Sequence, residues 1–105
     1  MRVIAISTLK AFWEKHPDAE LPLKEWYLKT CRTQWKTLTD IRKDFNTVDY
    51  VGNQHYVFNV KGNHYRLVTA IKFKPALVYI RFVGTHDEYE RIDASTIERR
   101  EYGTH

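Results

Sequence analysis

The chain has 105 residues, of which 43% are hydrophobic and 14% aromatic, and its formal net charge at pH 7 is +4. This length suits one domain, the apolar content is enough for one core, and the charge content is too ordinary for intrinsic disorder. No apolar run approaches the ~20 residues of a membrane-spanning helix, and the first residues lack the layout of a signal peptide. The single cysteine, Cys31, excludes an intramolecular disulfide and a cysteine-based zinc cluster. We therefore expect one cytoplasmic domain spanning residues 1–105, without a membrane partner.

The positive charge is concentrated in one segment. No Asp or Glu occurs between Tyr50 and His86. The basic residues of this acid-free segment are Lys61, Arg66, Lys72, Lys74 and Arg81, together with His55, His64 and His86. Such segregation is typical of a surface that binds phosphates. The alternative is that a mostly buried sheet excludes acids and carries its basic residues at the rim.

The first half of the chain predicts a strand followed by helices. Arg2–Ile6 is short, apolar and β-branched, which favours an opening strand. Ser7 is a suitable N-cap for a helix that contains Phe12 and Trp13 and ends before Pro17.

A second, amphipathic helix is predicted next, because apolar residues recur near helical spacing. These residues are Leu23, Trp26, Tyr27 and Trp35. Pro22 is tolerated in the first turn of such a helix. We expect the three tryptophans of the helical half to belong to the core.

A short third helix is indicated by Thr37 and Asp40, which resemble a capping box. It would hold Ile41 and Phe45. Residues 46–54 are polar and contain glycine, so we expect a loop there.

The second half predicts a β-meander. Three runs are rich in β-branched and aromatic residues: His55–Val60, His64–Phe73 and Leu77–Gly84. Their connections, residues 61–63 and 74–76, are short, so neighbouring strands must be antiparallel.

Asp87–Ile92 reads as a helical turn, and we expect the charged tail from about residue 95 to be flexible. The fold class is therefore α+β, with an N-terminal strand and two to three helices packed on a C-terminal three-stranded antiparallel meander.

Alternation of side chains along the strands predicts that polar and basic residues lie on the sheet face that the helices do not cover. Arg66, Arg81, His86 and Tyr89 are expected to converge at one edge of the sheet. Histidine suits either proton-transfer role, because its unperturbed pKa is near 6.5. Arginine binds phosphate oxygens in a bidentate manner, and aromatic rings stack on unpaired bases. This set can cleave RNA, because the ribose 2′-hydroxyl itself attacks the neighbouring phosphorus and no metal is needed.

Simpler interpretations stand beside these assignments. Arg66 would be structural if it paired with an acid, and Tyr89 would be a core residue because it has helical spacing with Ile92. Lys61 at a hairpin tip is commonly only solvated. His55 and His64 flank the same hairpin, where they either contact RNA or have no role.

Other enzyme classes find no support in the sequence. The five histidines lack HxxxH and HxH spacing, which disfavours a zinc site. No P-loop, GxGxxG or GxSxG motif is present. We therefore expect neither a metal nor a cofactor.

Two segments resemble the HigB family of type II toxins, within the RelE/ParE superfamily. They are His55–Val68 (HYVFNVKGNHYRLV) and Tyr79–Tyr89 (YIRFVGTHDEY). The resemblance implies a RelE-like fold and a ribosome-dependent endoribonuclease that cuts messenger RNA in the ribosomal A site and arrests growth. It also implies a HigA-type helix-turn-helix antitoxin, and contact with operator DNA only through the toxin–antitoxin complex.

The resemblance also assigns roles to individual residues, with one departure. Arg66 matches the phosphate-binding arginine of the superfamily, and His86 falls where RelE-like members place a second functional arginine. RelE has two lysines at the positions of Val57 and Asn59, so the proton chemistry of those lysines does not carry over. Either His86 acts as the base or acid, or the ribosome orients the 2′-hydroxyl. Asn59 is expected to bind a phosphate or a base edge.

The predicted catalytic residues are therefore His86, Arg66 and Tyr89. The predicted RNA or phosphate contacts are Arg81, Lys61, Asn59, His64 and His55. The alternatives are a ParE-like toxin that acts on DNA gyrase and a non-catalytic basic RNA-binding domain.

Overall fold

A computed structural model describes residues 1–97. The strands are β1 (Arg2–Ile4), β2 (Asp49–Gly52), β3 (His55–Val60), β4 (Tyr65–Lys72) and β5 (Leu77–Thr85). The helices are α1 (Ile6–Lys15), α2 (Glu20–Cys31), α3 (Leu38–Asp44) and α4 (His86–Glu90), and a 3₁₀ turn spans Pro17–Ala19. The predicted α+β class is confirmed.

The strands form one five-stranded mixed sheet in the order β1-β5-β4-β3-β2. The predicted meander is present as β3, β4 and β5, which pair antiparallel. The N-terminal strand β1 joins the other edge of β5 in parallel, with Arg2 opposite Leu77. A parallel neighbour needs a long crossover, and here the helices and the first strands of the meander supply it.

The prediction of a loop over residues 46–54 is wrong in part, because β2 occupies residues 49–52 and pairs with β3. A two-residue turn joins these strands, and both of its residues, Asn53 and Gln54, have positive φ angles, of 54° and 62°. Such a turn matches the twist of a β-hairpin. The usual sequence signal is Asn-Gly, so the glutamine concealed the hairpin.

The predicted N-cap of the first helix is displaced. Helix α1 begins at Ile6 with Ala5 as its N-cap, and no side chain caps it. Ala5 adopts left-handed φ and ψ angles of 73° and 40°. Strand β1 ends at Ile4, which pairs with Tyr79, so the chain must leave the sheet before Ser7.

The second helix is shorter than its apolar spacing predicted. Helix α2 ends at Cys31, and the Thr33 hydroxyl donates to the Thr30 carbonyl at 2.7 Å just after it. Trp35 therefore lies in the connection to α3, although it is only 3% exposed. Its indole Nε1 donates to Asp44 Oδ2 at 2.8 Å. Burial in the core, and not membership of a helix, explains this tryptophan.

The predicted start of the third helix is confirmed. Thr37 is the N-cap of α3, and its hydroxyl accepts a hydrogen bond from the Asp40 backbone N–H at 3.3 Å. The Asp40 carboxylate accepts from the Lys36 backbone N–H at 2.9 Å, which satisfies a further donor before the helix.

The two faces of the sheet are covered differently. The helices α1, α2 and α3 cover the larger core, which includes Leu9, Leu23, Trp26, Ile41, Phe58, Leu67 and Ile80. The opposite face carries a small cluster around Val57, Val68 and Ala94, covered in part by Phe82, Tyr89, Ile92 and Ile97. The part of this face around Asn59 and Arg66 is left accessible beside α4.

The last described residues are attached to the sheet. Asn53 Nδ2 donates to the Ser95 carbonyl at 3.0 Å. The tail predicted to be flexible from about residue 95 otherwise lies outside the described residues. Among residues 1–97, no helix has both the length and the apolar character to cross a membrane.

Gly84 lies at the point where β5 approaches α4, and a side chain there would clash. A Cβ atom would come within 2.5 Å of Phe82 Cζ and 3.0 Å of Glu88 Oε1. We expect Gly84→Ala to lower the free energy of unfolding by about 1–3 kcal/mol through overpacking, measured by urea denaturation.

The Phe82→Leu background tests the cause of this loss, because leucine lacks the Cζ atom. Gly84→Ala should cost clearly less there than in the parent protein. An equal cost in both backgrounds would show that contact with the Phe82 ring is not the reason.

Candidate functional site

Strand pairing and a helix cap bring Arg66 and His86 together. Arg66 on β4 lies opposite Gly84 on β5. Thr85 then acts as the N-cap of α4, and a capping box with Glu88 turns the chain from strand into helix. His86, the first helical residue, therefore lies next to Arg66 at the start of β4.

Arg66 and His86 contact each other directly. Arg66 Nη2 lies 3.1 Å from His86 Nδ1, and Arg66 Nη1 donates to the Asn63 carbonyl at 3.0 Å. A guanidinium group only donates hydrogen bonds, so Nδ1 must be the acceptor and carries no proton in this contact. Both side chains remain partly or largely exposed to solvent, so an incoming phosphate can compete for the guanidinium.

Tyr89, one turn further along α4, completes this group. The Arg66 Cζ atom lies 5.9 Å from the centre of the Tyr89 ring. Burial raises the pKa of the Tyr89 hydroxyl, and the negative charges of Asp49 and Glu90 act in the same direction, against a lowering by Arg66. The hydroxyl therefore stays protonated at neutral pH and can donate a hydrogen bond or a proton.

A cleft of about 600 Å³ opens beside these residues and includes Arg66, Tyr89 and Asn59. Asn59 is exposed and lies opposite Arg66 in the β3–β4 register. The rest of the lining comes from α3, the loop after it and the sheet: Arg42, Asn46, Thr47, Val48, Asp49 and Val57. Arg66, Tyr89 and Asn59, which were predicted as site residues, thus line the same cleft.

Sequence reasoning missed Arg42, which adds a second arginine to this cleft. It lies in the last turn of α3, outside the acid-free segment. The only available signal was a basic pair, Arg42 and Lys43, at the end of a predicted helix, where cations are ordinarily explained by the helix dipole.

His64 lies on the other side of His86. Its Nδ1 lies 2.9 Å from the Lys61 carbonyl, which only accepts, so Nδ1 carries the proton and Nε2 keeps a lone pair in the neutral ring. His64 and His86 line a shallow cleft of about 390 Å³ with Asn63, Thr85 and Asp87. The two histidines are therefore neighbours on the surface, although no regular pattern in the sequence relates them.

Lys61 is held away from the site. Its Nζ forms an ion pair with Asp18 at 2.6 Å, and the Tyr65 hydroxyl donates to the same carboxylate at 2.5 Å. The hydrogen bonds from Lys61 and Tyr65 lower the pKa of Asp18, and the bond to Asp18 raises the pKa of Tyr65 to about 12. Both groups of the ion pair are exposed, which leaves Lys61 able to exchange this partner for a phosphate.

His55, which was predicted to contact RNA, is almost fully buried. It is 6% exposed, and its two ring nitrogens lie 2.8 Å from the Asn53 carbonyl and 3.1 Å from the Ile97 carbonyl. Both carbonyls only accept, so both contacts are hydrogen bonds at once only when the ring is doubly protonated. In this structure His55 attaches the last described residues to the sheet.

Arg81 does not line either cleft around Arg66 and His86, contrary to the expected convergence. The β4–β5 register shifts between Val68 and Thr69, which leaves Arg81 without a pairing partner in that register. Its guanidinium lies 5.3 Å from the centre of the Tyr79 ring. It lines a separate cavity of about 470 Å³ with Phe82, Arg91 and other residues. A bulge is not visible in alternation counted from the sequence.

Comparison with known proteins points to one family. A family model described as HigB_toxin, the RelE-like toxic component of a toxin–antitoxin system, matches residues 19–92. The chain is 33% identical over 93 residues to the mRNA interferase toxin HigB of Escherichia coli K12, covering 86% of this chain and 88% of that protein. It is similar to the same extent to the mRNA interferase HigB of Shigella flexneri. It is also 25% identical to the mRNA interferase HigB of Escherichia coli O6:H1 over 103 residues, covering 96% of this chain and 100% of that protein.

The hydrogen bonds that Lys61 and Tyr65 make to Asp18 predict how the stability of the fold depends on pH. The lowered pKa of Asp18 means that its contribution to stability is present above the unfolded pKa of ~3.9 and is lost as the pH falls through the folded value. The raised pKa of Tyr65 means that its contribution is present below ~10 and is lost as the pH rises to about 12. We expect Tyr65→Phe to raise the pKa of Asp18 towards its ordinary value and to reduce the alkaline loss of stability, to which Tyr56 and Tyr89 also contribute through their raised pKa values.

Carboxyl-carbon NMR titration of Asp18 and alkaline urea denaturation measure the two effects. Tyr79→Phe is the control, because Tyr79 donates no hydrogen bond to Asp18 within residues 1–97. An Asp18 titration that is the same in Tyr65→Phe as in the parent would contradict the assigned hydrogen bond.

Proposed function

Because the chain belongs to the HigB family of RelE-like toxins, we propose that it is an mRNA interferase, an endoribonuclease that cleaves translated messenger RNA and so inhibits translation and growth. The resemblance found in His55–Val68 and Tyr79–Tyr89 is confirmed by the family match. As the toxic component of a toxin–antitoxin system, the protein has an antitoxin partner.

The contact between Arg66 and His86, next to Tyr89, is the observation that carries this proposal. It places a phosphate-binding group beside a proton-transfer group on an exposed face. The proposed reaction needs no metal. The 2′-hydroxyl loses its proton and bonds to phosphorus, the bond from phosphorus to the 5′-oxygen breaks, and the leaving oxygen takes up a proton.

Arg66 would bind the scissile phosphate and stabilise the charge that develops on it. His86 would exchange the proton of the 2′-hydroxyl or of the leaving oxygen. Tyr89 would donate a hydrogen bond from its protonated hydroxyl, which its raised pKa supports. The roles proposed for these three residues rest on their proximity and on the chemistry of the groups.

Exposed residues around this group would hold the neighbouring nucleotides. Asn59 and His64 line the two clefts next to Arg66 and His86, and Lys61 would reach a phosphate after leaving Asp18. Arg81 would contact RNA only at a distance from the reacting phosphate, because it lines another cavity. We propose no RNA contact for buried His55.

The proposed partners follow from the proposed substrate. Messenger RNA would be cut in the A site of the ribosome, which places the reaction in the cytoplasm. The antitoxin would be a HigA-type helix-turn-helix protein, and operator DNA would be contacted only through the toxin–antitoxin complex.

Induced expression with mapping of transcript 5′ ends tests this function. The parent protein should produce new ends within translated codons and arrest growth. Loss of a positioned proton-transfer group typically costs 10²- to 10⁴-fold in rate, and loss of one group that stabilises the developing charge costs about 10²- to 10³-fold. We therefore expect His86→Ala and Arg66→Ala to abolish the new ends and the growth arrest.

Lys74→Ala is the matched control, since it removes one exposed positive charge of the acid-free segment outside both clefts. It should remain toxic. Unchanged transcripts together with DNA damage would favour action on DNA gyrase, and growth without arrest would favour a non-catalytic RNA-binding domain. Full toxicity of both folded variants would exclude the assigned site whatever the target.

A further inference from the structure

Glu90 is an acidic residue placed against the histidine of the proposed active site. It lies four residues after His86, on the same side of α4, and its Oε1 lies 2.8 Å from His86 Nε2. His86 is therefore held from both sides, by Arg66 at Nδ1 and by Glu90 at Nε2.

The two neighbours select one form of the ring. Arg66 can only donate a hydrogen bond, and the carboxylate of Glu90 can only accept one. Both contacts are satisfied when Nδ1 carries a lone pair and Nε2 carries the proton. The opposite tautomer would set an N–H against the guanidinium and a lone pair against the carboxylate, so both contacts would be repulsive.

Neither the capping of α4 nor its dipole explains the position of Glu90. The capping box of α4 uses Glu88, so Glu90 has no part in it. Glu90 is the last residue of α4, where the helix dipole disfavours a negative charge, and no basic residue lies in the last turn. Among residues 1–97, the only hydrogen-bonding contact of its carboxylate is with His86.

We propose that Glu90 is a positioning residue for RNA cleavage, which accepts a hydrogen bond from the Nε2–H of His86 and thereby makes Nδ1 the nitrogen that takes the proton of the 2′-hydroxyl. This inference rests on the proposed function. It explains why the lone pair that would act as the base faces Arg66, the group that would bind the phosphate next to that hydroxyl.

The step follows from an exchange of partners at Arg66. The phosphate of the RNA takes the guanidinium, which releases Nδ1. The 2′-hydroxyl proton moves to Nδ1 as its oxygen bonds to phosphorus and the bond to the 5′-oxygen breaks. The leaving oxygen takes a proton from Tyr89 or from water, and the positive charge on the ring is stabilised by Glu90 until His86 returns its proton to solvent.

The test combines the ring tautomer with cleavage kinetics for Glu90→Ala and Glu90→Gln. Nitrogen-15 NMR of histidine-labelled protein should show the Nε2–H tautomer of His86 in the parent and in Glu90→Gln, whose amide oxygen also accepts a hydrogen bond. In Glu90→Ala the share of this tautomer should fall, because only the contact with Arg66 then selects it. Loss of a partner that orients a functional histidine typically costs 10- to 100-fold.

Cleavage is measured with purified protein, ribosomes and a short messenger RNA, and binding is measured with the same RNA carrying a 2′-deoxy group at the cut site. We expect the cleavage rate to fall about 10- to 100-fold in Glu90→Ala, with partial rescue in Glu90→Gln and unchanged binding in both. Glu14→Gln is the charge-matched control, because Glu14 is exposed on α1, and it should behave as the parent.

The outcomes separate the inference from the function on which it rests. If the parent cleaves RNA and Glu90→Ala cleaves at the same rate, or if the His86 tautomer is unchanged in Glu90→Ala, the role of Glu90 is overturned while the function stands. If the parent itself does not cleave, the proposed function fails and the role of Glu90 fails with it. A parallel loss of RNA binding would also overturn the inference, because positioning of a base does not weaken binding.

Discussion

The antiparallel pairing of β4 with β5 is the constraint on which the candidate site depends. This pairing sets Arg66 opposite Gly84, and the capping box of Thr85 and Glu88 then turns the chain into α4 within two residues. A shift of the register by one residue would move Arg66 to the helix-covered face of the sheet, because side chains alternate between faces. The absence of a side chain at Gly84 leaves the space that Phe82 and Glu88 occupy. The geometry of the site therefore depends on the β4–β5 pairing and on the turn from β5 into α4.

The two faces of the sheet have different roles. One face packs against the helices and contributes most of the core, and the other carries the candidate site. Three helices and most of the large apolar residues cover the first face, with Phe58 in contact with Trp26, Trp35 and Phe45. The second face has a small apolar cluster, and its remaining area carries polar and basic residues. The acid-free segment was interpreted either as a phosphate-binding surface or as a buried sheet that excludes acids. This division of the sheet supports a part of each interpretation. Buried positions of β3 and β4 exclude charge, and a half-buried position near the start of β4 holds Arg66.

Polar partners decide which basic residues are available for a ligand. Asp18 occupies Lys61, main-chain carbonyls occupy His55, and Arg66 and His86 occupy each other. The last pair differs from the others because both of its members are groups of the proposed reaction. A phosphate that binds Arg66 therefore also changes the state of His86. The same interaction that holds the site in the free protein is the one that a substrate would replace.

The sequence by itself determined the α+β class, the three strands of the meander, the cap of α3 and the family, because periodicity, turn residues and local motifs act over a few neighbouring positions. It also identified Arg66, His86 and Tyr89 as one group. Only the tertiary structure decided that Trp35 is buried outside a helix, that β2 extends the sheet, and that Arg81 lies apart. It also brought Arg42 into the cleft and Glu90 against His86. These features depend on a bulge, on a turn with an unusual residue and on packing between distant segments, and such contacts leave no periodic trace in the chain.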